Sequence, residues 1–197
     1  PSRKGMKIVI ELKRDANAQL VLNQLYTYTQ LQDTVGVIML ALVNGEPKTL
    51  TLRQMLEEYI KFQEQIITRR TIFDLKKAKE RAHILEGLVI ALDYIDEVIS
   101  IIRSHYTSQE GKEVLMERFG LDDIQAQAII QMPLGRLAGM EREKLKTETD
   151  ELHAKIAEYN AILADEKRVR AIVKQELLEI KEKFNDPRRT EIASVEG

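Results

Sequence analysis

The side chains that could do chemistry in this sequence are spaced in ways that assemble no reaction centre. Its three histidines, His83, His105 and His153, lie far apart and in no H-E-x-x-H or comparable pattern. Each reads as a helix-surface or packing residue rather than a metal ligand. Asp93, Asp96 and Glu97 share one helix face at i, i+3 and i+4. Such carboxylates could exchange protons or hold Mg2+, but the solvated face of a paired helix accounts for them equally well. A nucleophilic tyrosine needs a neighbouring base or cation. None of Tyr26, Tyr28, Tyr59, Tyr94, Tyr106 and Tyr159 has one convincingly placed. There is no G-x-x-x-x-G-K-[ST] phosphate loop and no G-x-G-x-x-G. The reading is a scaffold, with no catalytic, cofactor-binding or metal residue of its own.

One stretch carries a charge that could meet a polyanion. Residues 61–82 hold seven Lys/Arg against three Asp/Glu, and Arg69, Arg70, Lys76 and Lys77 are the candidate DNA contacts, with Lys79 and Arg81 beside them. The alternative is a solvated helix surface with partners such as Lys76–Glu80 at i, i+4. Autonomous DNA binding normally rests on a far larger basic excess, and the net charge of this chain is −2.

These residues are carried mostly by helices. The sequence is 197 residues long, 44% hydrophobic, 31% charged and 5% aromatic, with four Pro and no Trp. That composition suits long, surface-rich helices and excludes general disorder. The absence of Cys removes any disulfide framework or thiolate metal site and is compatible with the cytoplasm. No run approaches the ~20 apolar residues of a membrane span. The first residue is Pro1 rather than Met, which reads as a piece of a longer chain.

Residues 1–50 form a partial α/β unit by pattern. Lys7 to Leu12 alternates like a half-buried strand. Asp15 is placed to cap a short helix through about Thr29. Val35 to Val43 is β-branched and apolar, Asn44-Gly45 is a strong hairpin signal, and Lys48 opens the return strand.

From Thr51 the period becomes helical. Thr51 with Gln54 is a capping box, and no Pro intervenes between Pro47 and Pro133. Leu75, Ala78, Ala82, Leu85, Leu88, Leu92, Ile95, Ile99 and Ile102 make one stripe, predicting a first long helix within 51–106. Drawn from 52 to 104 it would be roughly 80 Å long and would need a partner helix. Leu145, Leu152, Ile156, Tyr159 and Leu163 start a second stripe within 141–185. After the polar interruption at 165–168 it resumes with Val169, Val173, Leu177, Ile180 and Phe184, and Asn185-Asp186-Pro187 stops it. Residues 186–197 are an exit segment.

Between the two long helices, residues 107–140 read as a knob of short helices. Thr107 with Glu110 and Asp122 with Gln125 are start signals; Gly120, Pro133 and Gly135 are stops. The fold class is therefore mainly α: an antiparallel intramolecular coiled coil with a helical knob at its tip and a small α/β unit at the N-terminus. The knob is rich in apolar residues for about 35 positions, which favours a twofold dimer. Phe119, Ile129, Met132, Pro133, Leu134, Arg136, Leu137 and Met140 are the candidate interface residues.

Ordered segments of the chain resemble the A subunit of bacterial DNA gyrase, a type IIA DNA topoisomerase. Ile10-Glu11-Leu12-Lys13-Arg14-Asp15-Ala16-Asn17-Ala18 resembles a strand-to-helix segment of its tower domain. Arg81-Ala82-His83-Ile84-Leu85-Glu86-Gly87-Leu88 and Ile95-Asp96-Glu97-Val98-Ile99 look like the first coiled-coil helix. Gln125-Ala126-Gln127-Ala128-Ile129 and Arg136-Leu137-Ala138-Gly139-Met140-Glu141 are similar to the gate region. Ala161-Ile162-Leu163-Ala164-Asp165-Glu166 and Arg188-Arg189-Thr190-Glu191-Ile192 match the return helix and its exit. The likeness runs from about residue 6 to 192. The A-type subunit of topoisomerase IV is the alternative that the same motifs leave open.

The resemblance implies an ATP-dependent enzyme that passes one DNA duplex through a tyrosyl-linked break in another. It implies pairing with an ATPase B subunit, with ATP and Mg used by the intact enzyme rather than by this segment. It also implies that the knobs of two copies form an exit gate. Neither a winged-helix region with the cleavage Tyr nor a basic DNA-wrapping domain is recognisable in the sequence. Where the family commonly has Arg, this chain has Pro133, which should sharpen the break inside the knob. Two other readings stay open, a general coiled-coil interaction module and a DNA-binding arm using residues 61–82. A homodimer without DNA affinity favours the gate, and salt-sensitive binding favours the arm.

Overall fold

A computed structural model describes residues 5–133 and 139–194, and the side chain of Met140 lies outside that description. The chain divides into two compact units, Pro1–Met55 and Leu56–Gly197.

In the first unit, helix α1 (Ala18–Tyr28) starts at Asn17, whose side chain accepts the N–H groups of Gln19 at 3.0 Å and Leu20 at 3.2 Å. The cap is thus Asn17 and not Asp15. Ala16 N–H donates to the Lys13 carbonyl, which closes a turn around Asp15 two residues ahead of the helix. Strands β1 (Met39–Val43) and β2 (Glu46–Leu50) form an antiparallel hairpin. Asn44 at φ 53° and Gly45 at φ 82° occupy its two-residue turn, both left-handed as a type I′ turn requires. The return strand opens at Glu46, earlier than Lys48. The first strand begins only at Met39, because its partner Leu50 is followed directly by the cap of the next helix.

The strand expected over Lys7–Leu12 does not form. Among the described residues β1 and β2 form the one sheet, and residues 7–12 adopt no strand. Ile8 and Ile10 are accordingly exposed. Alternation alone makes a strand only where a second strand is at hand.

The long helix α2 (Leu52–Asp93) begins at the expected box. Gln54 N–H donates to Thr51 Oγ1 at 3.2 Å, and Thr51 N–H donates to Gln54 Oε1 at 2.9 Å. The helix does not run unbroken to 104. At Tyr94 (φ −119°, ψ 36°) it bends into α3 (Ile95–Ser104). Hydrogen bonds still flank the bend, from Tyr94 N–H to Ile90 O and from Val98 N–H to Tyr94 O. The Tyr94 ring leaves the helix line to pack 5.6 Å from the Phe119 ring. The buried stripe moves with the bend: Val98 is enclosed, whereas Ile102, on the expected stripe, is exposed.

The return arm is likewise two helices, α6 (Gly139–Ala164) and α7 (Glu166–Phe184). The charged run after Ala164 breaks it. Asp165 adopts an extended conformation and accepts Lys167 N–H at 2.9 Å, capping α7. Ion pairs show that the arms are antiparallel. Asp93 meets Arg142, Glu86 meets His153 and Arg81 meets Glu148 toward one end of α2; Glu64 meets Arg170 and Arg70 meets Glu176 toward the other.

Helices α4 (Ser108–Phe119) and α5 (Asp123–Ile130) complete the knob with α3. Thr107 caps α4, and Gly120 ends it in the left-handed region at φ 64°. One core joins knob to arms: Leu85, Leu88, Ala91 and Leu92 of α2, Val98, Leu115, Leu121, Ala126 and Ile129 of the knob, and Leu145 of α6. A second, smaller core pairs Ile67 of α2 with Ile162, Val169 and Val173. The return stripe buries Ile162 where Leu163 was expected, and Leu163 is half-buried beside it.

Leu115 has no solvent exposure and sits at the centre of the knob core. Leu115→Ala should lower the unfolding free energy by about 2–5 kcal/mol, read from urea denaturation followed by circular dichroism.

Candidate functional site

Three of the eight candidate interface residues lie at or near the described surface of the knob. Phe119 is half-buried at the end of α4, with the Arg118 guanidinium 5.3 Å from its ring centroid. Arg118 Nε in turn donates to Glu97 Oε1 at 2.6 Å, tying α4 to α3. Met132 is half-buried against the core, and Pro133 is exposed. Ile129 faces inward: at 2% exposure it is covered by its own chain, because α5 lays that side against α2. Leu134, Arg136 and Leu137 lie outside the described residues, as does the Met140 side chain.

The residues that fasten the knob were not among the candidates. Gln125 is only 7% exposed. Its Nε2 donates to the carbonyl of His83, in the middle of α2, at 2.8 Å. Its Oε1 accepts Asp122 N–H at 3.2 Å, while Asp122 Oδ1 accepts Gln125 N–H at 2.9 Å. The other Asp122 oxygen is bonded to His83 Nε2. Close packing accompanies this ring of bonds, since a Cβ on Gly87 would stand 2.8 Å from Gln125 Cβ. Beside it, Lys112 is 9% exposed and its Nζ lies 2.6 Å from Asp123 Oδ1, joining α4 to α5. The one available signal was Gly87 itself, a residue of poor helix propensity inside a long helix.

The carboxyl of Asp122 is held below its usual range. The Gln125 backbone N–H is the main cause, followed by the His83 side chain, with Ile124 N–H a smaller contribution. Each of these favours the ionised form.

The basic stretch is largely matched by acid within the chain. Arg70 pairs with Glu176, and Lys76 and Lys77 approach Glu80 at 3.9 and 3.7 Å. Lys77 also lies over the Phe73 ring, and Arg81 grips Glu148 with two bonds. Arg69 is exposed and has no carboxylate in ion-pair range among the described residues. It lines a groove of about 470 Å³ with Lys61, Glu64, Gln65, Thr68, Glu166, Val169 and Arg170, where acid and base alternate. A phosphate there would have to compete with the carboxylates already engaged.

Two of the histidines and two of the carboxylates are also engaged. His105 Nδ1 donates to Ile101 O at 2.7 Å, and His153 Nε2 to Glu86 Oε1 at 2.7 Å. Asp93 and Glu97 are each held by an arginine from another helix. Among the described residues no three His, Asp or Glu side chains converge as metal ligands, and no helix is long and apolar enough to cross a membrane.

Residues 1–178 match the family described as the DNA gyrase/topoisomerase IV A subunit. The chain is 59% identical over 195 residues to the DNA gyrase A subunit of Clostridium acetobutylicum, covering 99% of this chain and 24% of that protein. The DNA gyrase A subunit of Halalkalibacterium halodurans is 55% identical, with 98% of this chain and 23% of that protein covered. The corresponding figures for the Helicobacter pylori protein are 50%, 96% and 23%. The chain thus spans about a quarter of the length of these curated relatives.

Because the Asp122 pKa is lowered on folding, its contribution is present above the unfolded carboxylate value and lost as pH falls through the folded one. The melting difference between wild type and Asp122→Asn, which does not titrate, should be constant above about pH 4 and shrink below it. A difference that stays level to about pH 2.5 would show that Asp122 is not the titrating group.

Proposed function

Because this chain belongs to the family of DNA gyrase/topoisomerase IV A subunits, we propose that it is the spacer and dimerising gate of such a protein. The paired helices α2 and α6–α7 form a stiff shaft. The knob at their far end meets the knob of a second copy, and in the intact enzyme that contact is the exit gate for a transported duplex. The segment is non-catalytic: cleavage and strand passage belong to the rest of a DNA gyrase, or of a topoisomerase IV with the same plan.

One observation carries this reading. At the knob's tip Phe119 and Met132 are half-buried and Pro133 is exposed, beyond a core that encloses Leu85 and Leu115; large apolar residues such as Phe62, Phe73 and Ile180 are exposed along the shaft as well. The tip residues adjoin a sequence that continues with Leu134 and Leu137. An apolar run at the tip of the hairpin suits self-association about a twofold axis. A gate must also reopen, so its interface should be modest in size rather than obligate.

The intact enzyme would work in the cytoplasm with DNA and an ATPase B subunit, using ATP and Mg. That chemistry is assigned to the rest of the enzyme. The DNA-arm reading is less favoured, since Arg70, Lys76 and Lys77 are already paired with acid.

Sedimentation equilibrium over a wide concentration range should give a mass of twice 22.7 kDa, dissociating only toward low concentration. Leu134→Asp with Leu137→Asp should convert the dimer to a monomer of unchanged helicity. A wild-type chain that stays monomeric throughout would overturn the proposal.

A further inference from the structure

The contact between α2 and the start of α5 has a geometry that reaches beyond holding the knob together. The His83 carbonyl lies in mid-helix, where its own turn already supplies one N–H donor, so the Gln125 amide takes the second lone pair. Gln125, Asp122 and the His83 imidazole then close a loop of bonds that leaves and re-enters α2 within one residue. Gly87 sits one turn further along and admits the Gln125 stem at a distance that a Cβ would forbid. Two independent restraints, one polar and one steric, therefore fix both the distance and the direction of α5 against α2.

That direction is transmitted to the tip. Helix α5 is eight residues long, and its C-terminal end is stiffened by Gln131 N–H to Gln127 O and Met132 N–H to Ile129 O, each at 3.1 Å. Pro133 follows immediately. A small rotation of α5 about its fastened start would carry Met132 and Pro133 with it.

We propose that Gln125, acting with Gly87 and His83, is a positioning residue for self-association. It sets the angle at which α5 presents Met132 and Pro133 to a second copy. This deepens the dimer reading above and rests on it. If the junction served stability alone, any equal loosening of α5 would have the same effect on the dimer.

The test uses the whole 197-residue chain. Gln125→Glu keeps an oxygen to accept Asp122 N–H, so the α5 cap survives, but it sets a carboxylate oxygen against the His83 carbonyl. Asp123→Asn is the control, because it weakens the tie of α5 to Lys112 of α4 and leaves the α2 contact alone. Dimer dissociation is measured by sedimentation, with melting by circular dichroism and amide exchange across 123–132.

Gln125→Glu should weaken the dimer about tenfold or more at temperatures where the chain remains fully helical, and Asp123→Asn should leave it unchanged. Should Gln125→Glu unfold the knob, Gly87→Ala is read in its place, since it displaces α5 while improving helix propensity. Equal weakening by Asp123→Asn would overturn the proposal. So would wild-type affinity in a variant whose α2–α5 contact is shown open by exchange. A wild-type monomer would instead defeat the dimer reading itself, and the two failures are thereby distinguished.

Discussion

A helix of 42 residues such as α2 exposes a continuous apolar stripe and has no local means of covering it. Everything else in the larger unit follows from the need to bring a second helix alongside. Burying a side chain such as Ile67 or Leu85 contributes about 1.5–3 kcal/mol each. The exposed ion pairs along the same seam contribute about 0–1 kcal/mol each. The apolar clusters therefore supply the stability of the pairing. The pairs Arg81–Glu148, Asp93–Arg142 and Glu64–Arg170 have another use. A shifted or parallel alignment would set charges against the wrong partners, so they specify register and direction at small energetic cost.

Both arms are interrupted, and in the return arm the unbroken helix opposite bridges the gap. Asp165 separates α6 from α7, but Ile162 before it and Val169 after it both pack on Ile67, which sits in uninterrupted α2. One side chain thus spans the discontinuity. The bend at Tyr94 has a different cause. There the chain changes neighbours, from the return arm to the knob, and the Phe119 contact rewards the turn. A polar run removes the stripe in the first case, and an aromatic contact redirects it in the second.

What the sequence made legible was local chemistry whose partners are close in the chain. The capping boxes at Thr51 and Asp122, the left-handed Gly120 and the Asn44-Gly45 turn each need only neighbouring residues, and each is found where its pattern placed it. The antiparallel arms were legible too, because two stripes of similar length with a compact insert admit few arrangements. What remained hidden depended on distant partners. The Lys7–Leu12 alternation lacked a second strand, and α1 took its cap from Asn17 because a turn had already enclosed Asp15. Ile129 looked available from composition, but the phase of α5 against α2 turned it inward. The Gln125–His83 contact joins residues 42 apart, and only Gly87, a glycine inside a long helix, hints at it.

The charge on the shaft also bears on what kind of surface the chain offers. A polyanion-binding face works by holding cations unpaired until phosphates release their counterions. Here Arg70, Lys76, Lys77 and Arg81 already face carboxylates, so the same cations that would recognise DNA are engaged in holding or decorating the helix pair. A neutral, charge-alternating shaft neither captures a duplex nor repels it strongly. Enclosed apolar side chains are concentrated in the two cores, and toward the knob's tip Met132 and Pro133 follow directly on a fastened helix. That division fits the proposed gate better than it fits a DNA-binding arm.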